Sequence, residues 1–161
     1  MFTRDGDFGY LSAVVNIGGG WGLTAAHVVE LGNPYGGYFG QDVYSPDAYS
    51  LITDYYTHPS YTGNTARGYD LALVRFENEL TSIPIASIGT QTPNIGDSIS
   101  MTGYGQPGTA YNPSPQDGLS RGWDGVIFRF GHPRKADDNY LTAEWVNPFW
   151  SHSLPLGGLG A

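Results

Sequence analysis

One histidine and one aspartate stand in local sequences suited to acid–base chemistry. His27 follows Leu-Thr-Ala-Ala at 23–26, and the small Ala25 and Ala26 would let it pack tightly at the start of a short helix. A histidine titrates near neutral pH, so a rigidly held and accessible imidazole can act as a general base. An ordinary helix histidine is the alternative interpretation, but the surrounding pattern favours the chemical one.

Asp70 stands immediately before the apolar run Leu71–Val74, 43 residues after His27. Two interpretations are open. An aspartate at this position can end a loop through an Asx-turn. Alternatively, its carboxylate can hold a histidine ring through the Nδ1 hydrogen and stabilise the imidazolium that forms when the ring takes a proton. The pattern nominates His27 and Asp70 as a general base and its orienting partner.

The elements that must position these two residues are short strands and one short helix. A helix is predicted over 25–31, with Gly32 as its stop, and a turn-rich segment over 103–118 is predicted to link two halves. Apolar runs and alternating patterns predict the strands. They cover residues 11–17, 21–24, 48–57, 71–76, 98–102, 126–130 and 140–146.

Composition limits the class of protein. The 161 residues include 12 Tyr, 7 Phe and 4 Trp, too many aromatic side chains for a disordered chain. With 24 Gly and 11 Pro, the mixture favours short strands joined by many turns. A net charge of −8 disfavours nucleic acid as a partner, and no apolar stretch approaches the roughly 18 residues that span a bilayer. Cysteine is absent, which excludes disulfides, thiolate metal sites and a cysteine nucleophile.

Four segments of the chain follow one another in a specific order. The first two are Trp-Gly-Leu-Thr-Ala-Ala-His at 21–27 and Thr-His-Pro-Ser-Tyr at 57–61. The others are Tyr-Asp-Leu-Ala-Leu-Val-Arg-Phe at 69–76 and Met-Thr-Gly-Tyr-Gly at 101–105. Any one match is weak, but four in register are specific. Together they resemble the chymotrypsin/trypsin-like serine proteases.

The resemblance implies an all-β fold of two barrels with few short helices. The first barrel is expected to be complete over 8–102, a linker to run over 103–120, and 121–161 to form an incomplete second barrel. Open strand edges and unburied apolar faces in such a second barrel would favour aggregation. We therefore expect the chain to fold poorly when it is expressed by itself.

The resemblance also implies a serine-type endopeptidase that acts on protein or peptide substrates without a cofactor. His27 would take the proton of a serine hydroxyl and return it to the leaving amine, while Asp70 holds the ring. In that family the serine lies about 93 residues after the aspartate. Counted from Asp70, this predicts a serine at about position 163. No Gly-Asp-Ser-Gly segment occurs in the 161 residues. A chain that stops before its catalytic serine, and is inactive as given, is therefore expected.

The remaining serines and histidines supply no substitute. His58 matches a structural loop of the family, and neither His132 nor His152 has partners at the spacing of zinc ligands, so no metal site is predicted. The serines considered as displaced nucleophiles all lie outside that glycine-flanked motif, whose backbone would form an oxyanion hole. They are Ser114, Ser120, Ser151 and Ser153.

Two features depart from the family pattern. Val28 stands where many members have a disulfide cysteine, which fits a cysteine-free bacterial branch, and no Ile-Val-Gly-Gly start is visible to support zymogen activation.

The family implies a monomer that is secreted or periplasmic. The polar residues 1–7 carry no signal-peptide core, so we expect the native start to be missing, the alternative being a cytoplasmic protein.

Two alternatives belong to other classes of function. One is a non-catalytic protease homologue that uses the fold as a protein-binding module. The other is a β-sandwich that stacks carbohydrate on aromatic side chains, although it leaves the four ordered segments unexplained. Its candidate aromatic residues are Tyr35, Tyr38, Phe39, Trp145 and Trp150.

Overall fold

The computed structural model describes residues 2–3, 12–105, 108–109, 112–113, 117–130 and 141–145. Antiparallel strands dominate these residues, which confirms the all-β class. The strands are β1 (Phe2–Thr3), β2 (Val15–Gly18), β3 (Trp21–Thr24), β4 (Gly36–Phe39), β5 (Ala48–Thr57), β6 (Ala72–Phe76), β7 (Ser98–Gly103), β8 (Gly108–Thr109), β9 (Asn112–Pro113), β10 (Arg121–Phe130) and β11 (Leu141–Trp145). Helical structure in this part of the chain is limited to α1 (Ala26–Gly32) and a 3₁₀ turn at Thr65–Arg67.

The chain divides into two compact units. The first comprises residues 1–88 and 104–120, and the second comprises 89–103 and 121–161. A six-stranded sheet in the order β1-β4-β5-β6-β3-β2 builds the first unit, and every neighbouring pair in it is antiparallel. The barrel boundaries at 102 and 120 stay a prediction.

The core of the first unit follows from the alternation of side chains along its strands. In β6, Ala72, Val74 and Phe76 are buried, whereas Leu73 faces outward. Helix α1 contributes small and branched side chains to the same core. The buried core comprises Val14, Ala26, Val28, Val29, Phe39, Ala72, Val74, Phe76 and Leu80.

Helix α1 runs one residue further than the sequence predicts. Gly32 is its last residue and is buried, so the prediction that Gly32 stops the helix is wrong. Asn33 follows in the left-handed conformation, with φ 44° and ψ 63°. Asparagine tolerates this backbone better than most residues. Among the residues that end helices in the left-handed conformation, it is second to glycine. The end of the helix is therefore set by Asn33.

We expect Asn33→Ala to lower the free energy of unfolding by about 1 kcal/mol, because an alanine Cβ is strained in the left-handed region. Asn33→Gly is the matched variant and should be neutral or slightly stabilising, since glycine has no Cβ. Urea denaturation of the three proteins measures the difference. Equal stability of the alanine and glycine variants would contradict a left-handed Asn33.

Strand bounds agree with the sequence where the pattern is locally strong. The strands predicted at 21–24 and 48–57 are confirmed as β3 and β5. The run 11–17 is shorter as a strand, because residues 12–14 lie outside β2 and residue 11 lies outside the described residues. The strand predicted at 71–76 begins at Ala72, since Leu71 takes part in a tight turn instead.

Strand β10 begins five residues earlier than the pattern at 126–130 predicts. Residues 121–125, Arg-Gly-Trp-Asp-Gly, carry no apolar alternation, but they pair with β7 in the register Arg121↔Gly103 to Val126↔Ser98. Ladder pairing therefore extends the strand beyond its apolar part. The strand predicted at 140–146 is observed as β11, residues 140 and 146 lying outside the described residues.

The turn-rich segment 103–118 contains more structure than a linker needs. Strands β8 and β9 pair with each other, with Gly108 opposite Pro113. Further along, the Gly118 carbonyl accepts from the Val43 N–H at 3.1 Å, and the Ser120 N–H donates to the Gln41 carbonyl at 2.7 Å. Within the first unit, these backbone bonds join residues 118–120 to residues 41–43, although the composition of the segment predicts only turns.

The described part of the second unit is a three-stranded antiparallel sheet in the order β11-β10-β7. Ile127 on the central strand is 2% exposed. Its N–H donates to the Asp97 carbonyl at 2.9 Å, and its carbonyl accepts from the Gly96 N–H at 2.7 Å. The turn before β7 is thereby held against β10.

Candidate active site

The pairing of β3 with β6 brings the two predicted site residues together. The register places Thr24, the last residue of β3, opposite Ala72, the first residue of β6. His27 lies three residues beyond Thr24, in the first turn of α1, and Asp70 lies two residues before Ala72. Because the strands are antiparallel, both positions fall at the same end of the sheet. Segments 43 residues apart therefore become neighbours.

Asp70 contacts His27 through both carboxylate oxygens. Its Oδ2 lies 2.7 Å from Nδ1 of the imidazole, and its Oδ1 accepts the His27 backbone N–H at 2.9 Å. A carboxylate only accepts hydrogen bonds, so we assign the hydrogen to Nδ1 and the lone pair to Nε2. The side chains are 40% exposed for His27 and 20% for Asp70. The imidazole is thus oriented on one side and accessible on the other.

Asp70 also caps helix α1. The N-cap residue Ala25 has no side-chain oxygen, and the hydroxyl of the preceding Thr24 donates to the Ala13 carbonyl at 2.8 Å instead. A carboxylate oxygen from the neighbouring segment accepts the N–H of the second helical residue, His27, as a local cap would. Sequence analysis missed this role, and the uncapped Ala-Ala start was its only signal.

The backbone around Asp70 is unusual. Tyr69 has φ 57°, and the described non-glycine residues include one other with positive φ, Asn33. The Leu71 N–H donates to the Tyr69 carbonyl at 2.8 Å, closing a three-residue turn with Asp70 at its centre. A left-handed tyrosine costs about 1–2 kcal/mol. The segment that carries the carboxylate is therefore strained and must be held by its surroundings.

Two further side chains lie beside this segment. The His58 ring stacks on the Tyr69 ring, with centroids 4.9 Å apart and planes 22° apart. Partial burial, followed by the negative charges of Asp70 and Glu30, raises the pKa of the Tyr61 hydroxyl above its usual value. Tyr61 is therefore neutral at physiological pH.

The sequence model of the Trypsin family matches residues 2–122 of this chain. The chain belongs to the trypsin family. Two solved structures of low sequence identity share the trypsin-like fold, although no curated protein matches in sequence. Neuropsin, a serine protease expressed in the limbic system of mouse brain, has a TM-score of 0.68 at 18% identity, over 83% of this chain and 63% of that one. Kallikrein-related peptidase 10 in complex with Zn2+ has a TM-score of 0.62 at 17% identity, over 89% of this chain and 66% of that one.

This trypsin-family chain thus spans just under two thirds of the length of those two relatives. In the part of the chain that the structure describes, the six-stranded sheet and one short α-helix, with β7, β10 and β11 as part of a second barrel, fit the all-β trypsin-like fold. Neither a cluster of three or more His, Asp or Glu suited to a metal ion nor a helix long and apolar enough to cross a membrane occurs in the described residues.

Gly-Asp-Ser occurs once in the sequence, at 96–98, and Ile99 follows where the family motif has a second glycine. An oxyanion hole would need the backbone N–H groups of the serine and of the residue two before it. Here the Gly96 N–H donates to the Ile127 carbonyl at 2.7 Å, and Ser98 opens β7 opposite Val126. Ser98 is therefore a strand residue without an oxyanion hole.

Most of the other sequence candidates cannot be placed relative to His27 and Asp70. Ser114, Ser151, Ser153, His132 and His152 lie outside the described residues. Ser120 donates its N–H to Gln41 in a backbone pairing.

Two of the aromatic residues proposed for carbohydrate pack against other rings of the first unit. Phe39 is buried in the core, edge-on to Phe76 at 5.6 Å. Tyr38 packs against Tyr49 with ring centroids 4.6 Å apart. Trp150 lies outside the described residues. Packing of the first unit therefore accounts for two of the five aromatic candidates.

Proposed function

We propose that this chain carries the general base and the orienting carboxylate of a serine-type endopeptidase, with His27 as the base and Asp70 as its partner. The observation that supports it is the double contact of Asp70 with His27, 2.7 Å to Nδ1 and 2.9 Å to the backbone N–H. The bond from the His27 backbone N–H fixes the carboxylate at the start of α1, so that its other oxygen can hold the imidazole ring in one orientation.

The proposed reaction is hydrolysis of a peptide bond in a protein or peptide substrate. A serine hydroxyl attacks the scissile carbonyl while Nε2 of His27 takes its proton, and the resulting imidazolium returns that proton to the leaving amine. Asp70 keeps Nδ1 protonated throughout and stabilises the imidazolium. The reaction needs no cofactor.

The nucleophile is proposed to come from polypeptide outside these 161 residues. The sequence contains no Gly-Asp-Ser-Gly segment, and Ser98 in the related tripeptide has its neighbouring amide groups committed to backbone bonds. The 161-residue chain by itself is therefore expected to show no appreciable peptidase activity. Peptide turnover by this chain that His27→Ala abolishes would contradict that expectation.

The proposal is tested on the polypeptide expressed from the complete reading frame of the gene. A fluorophosphonate should label one serine within a Gly-Asp-Ser-Gly segment, and His27→Ala should slow labelling by at least ~10³-fold, because removal of the base leaves the hydroxyl unactivated. Mass spectrometry identifies the labelled peptide.

Ser98→Ala is the matched control for this experiment. It removes the only serine of the 161 residues that follows Gly-Asp, and labelling should continue unchanged. A stop codon directly after Ala161, or labelling that does not depend on His27, would overturn the proposal. The non-catalytic, protein-binding homologue would then be the better account.

A further inference from the structure

We propose that His58 and Tyr69 form a positioning pair that holds the Asp70 carboxylate against His27, an inference that rests on the proposed function. Neither side chain is proposed to touch substrate. The sequence assigns His58 to a structural loop, but the structure places its ring on the residue that immediately precedes Asp70.

The conformation of Tyr69 is the first argument. Gly68 and Tyr69 are consecutive left-handed residues, with φ 77° and 57°. A second glycine or an asparagine would adopt this backbone with less strain than a tyrosine. Tyr69 is 52% exposed, so burial of its ring in the core does not explain the choice. A strained aromatic residue of this kind persists only where neighbouring contacts hold it, and such residues cluster at active sites.

His58 supplies those contacts on both sides of Asp70. Its ring stacks on Tyr69, one residue before Asp70, with centroids 4.9 Å apart. Its backbone N–H donates to the carbonyl of Leu71, one residue after Asp70, at 2.8 Å. His58, the residue that follows β5, thus contacts the chain on both sides of Asp70.

The His58 ring is itself fixed. Its Nδ1 accepts the Ser60 N–H at 3.1 Å, which orients the imidazole across the turn that follows β5. The ring that stacks on Tyr69 is therefore held by its own loop. Asp70 lies at the centre of the turn that the Leu71 N–H closes onto the Tyr69 carbonyl. Because the ring that packs on Tyr69 is fixed, this turn is held in place as well. The two oxygens of Asp70 can then reach His27 together.

The test uses ring-removing and ring-retaining variants of the polypeptide expressed from the complete reading frame. His58→Ala and Tyr69→Asn remove one ring of the stack, and asparagine at 69 still tolerates the left-handed backbone. His58→Phe and Tyr69→Phe keep an aromatic ring at each position. His58→Phe also loses the Nδ1 acceptor for Ser60, so it separates stacking from that hydrogen bond.

Two readouts follow the geometry of His27 directly. Proton NMR detects the low-field Nδ1–H resonance of His27, assigned by its loss in His27→Gln. Its exchange with solvent should become about tenfold faster in the ring-removing variants, as expected for the loss of one well-formed hydrogen bond. Peptidase kcat should fall by about 10- to 100-fold with little change in KM, because the base is misaligned while substrate binding is intact.

The ring-retaining variants should restore both readouts to within about threefold of the wild type. A merely structural pair would lower the melting temperature and leave the His27 resonance and kcat unchanged in the folded protein, and that result would overturn the proposal. If His58→Ala fails to fold, Tyr69→Asn against Tyr69→Phe decides.

The two proposals fail in distinguishable ways. A wild-type protein that shows the His27 resonance but hydrolyses no peptide contradicts the proposed function, and the NMR comparison still decides the positioning role. A wild-type protein that is active, with exchange rates equal in all four variants, contradicts the positioning pair alone.

Discussion

Asp70→Asn is expected to lower kcat by about 10⁴-fold in the polypeptide that includes the nucleophile, the general magnitude for this change in serine-protease triads. An asparagine can still accept the His27 backbone N–H through its oxygen. Its amide group then faces Nδ1 as a donor, which forces Nδ1 to be the acceptor. Hydrogen therefore moves to Nε2, the atom that must take the serine proton, and the base is lost while its position is kept.

Asp70→Ala separates the two roles of the carboxylate. Both variants lose the carboxylate oxygen that accepts the Nδ1 hydrogen, but alanine also removes the oxygen that caps α1 at 2.9 Å. We expect Asp70→Ala to lower the free energy of unfolding by about 1 kcal/mol, the usual value of an N-cap, and Asp70→Asn to lower it by only a few tenths. Urea denaturation measures the difference.

The tautomer of His27 gives an independent check. Nitrogen-15 NMR of the imidazole should show hydrogen on Nδ1 in the wild type and on Nε2 in Asp70→Asn. If both proteins share one tautomer, or if kcat of the asparagine variant stays within tenfold of the wild type, the assigned role of Asp70 is contradicted.

Phe76→Ala is expected to lower the free energy of unfolding of the first compact unit by about 3–5 kcal/mol. The Phe76 side chain is 2% exposed and meets the Phe39 ring edge-on, with centroids 5.6 Å apart. Removal of the ring therefore loses the free energy gained by burying it away from water, and it also leaves a cavity. The size of the loss depends on whether the walls of that cavity can collapse.

Two of those walls are backbone. Gly22 in β3 and Gly37 in β4 both face the ring, and a Cβ built on either would lie 2.8 Å from a Phe76 ring atom. The hydrogen-bonded ladders of the sheet hold these strands apart, so neither wall can close on an alanine. We therefore expect a loss in the upper part of the range for a phenylalanine.

Leu73→Ala is the matched control, because Leu73 lies on the same strand with its side chain on the opposite face. It is 37% exposed, so its loss should be about 1 kcal/mol or less. Urea denaturation with hydrogen exchange of the β6 amides reports on this unit specifically. A loss under ~1.5 kcal/mol for Phe76→Ala would mean that the backbone at Gly22 and Gly37 moves to fill the cavity, which would contradict this prediction.

Features that depend on a few neighbouring residues could be predicted from the sequence. Strand β5 is confirmed at Ala48–Thr57 because its aromatic and β-branched composition needs no partner to be recognised. The family is likewise confirmed, since the four ordered segments are each local. By contrast, the start of β10 at Arg121 depends on pairing with β7, and the end of α1 depends on the left-handed Asn33.

Residue types and their order were sufficient to nominate His27 as a base, Asp70 as its partner and the trypsin family as their setting. They did not indicate that both oxygens of Asp70 reach His27, that one of them caps α1, or that His58 contacts the residues on either side of Asp70. Each of these contacts joins segments that are distant in the chain. Their directions follow from the register of β3, β5 and β6, which long-range backbone hydrogen bonds set and no single segment encodes.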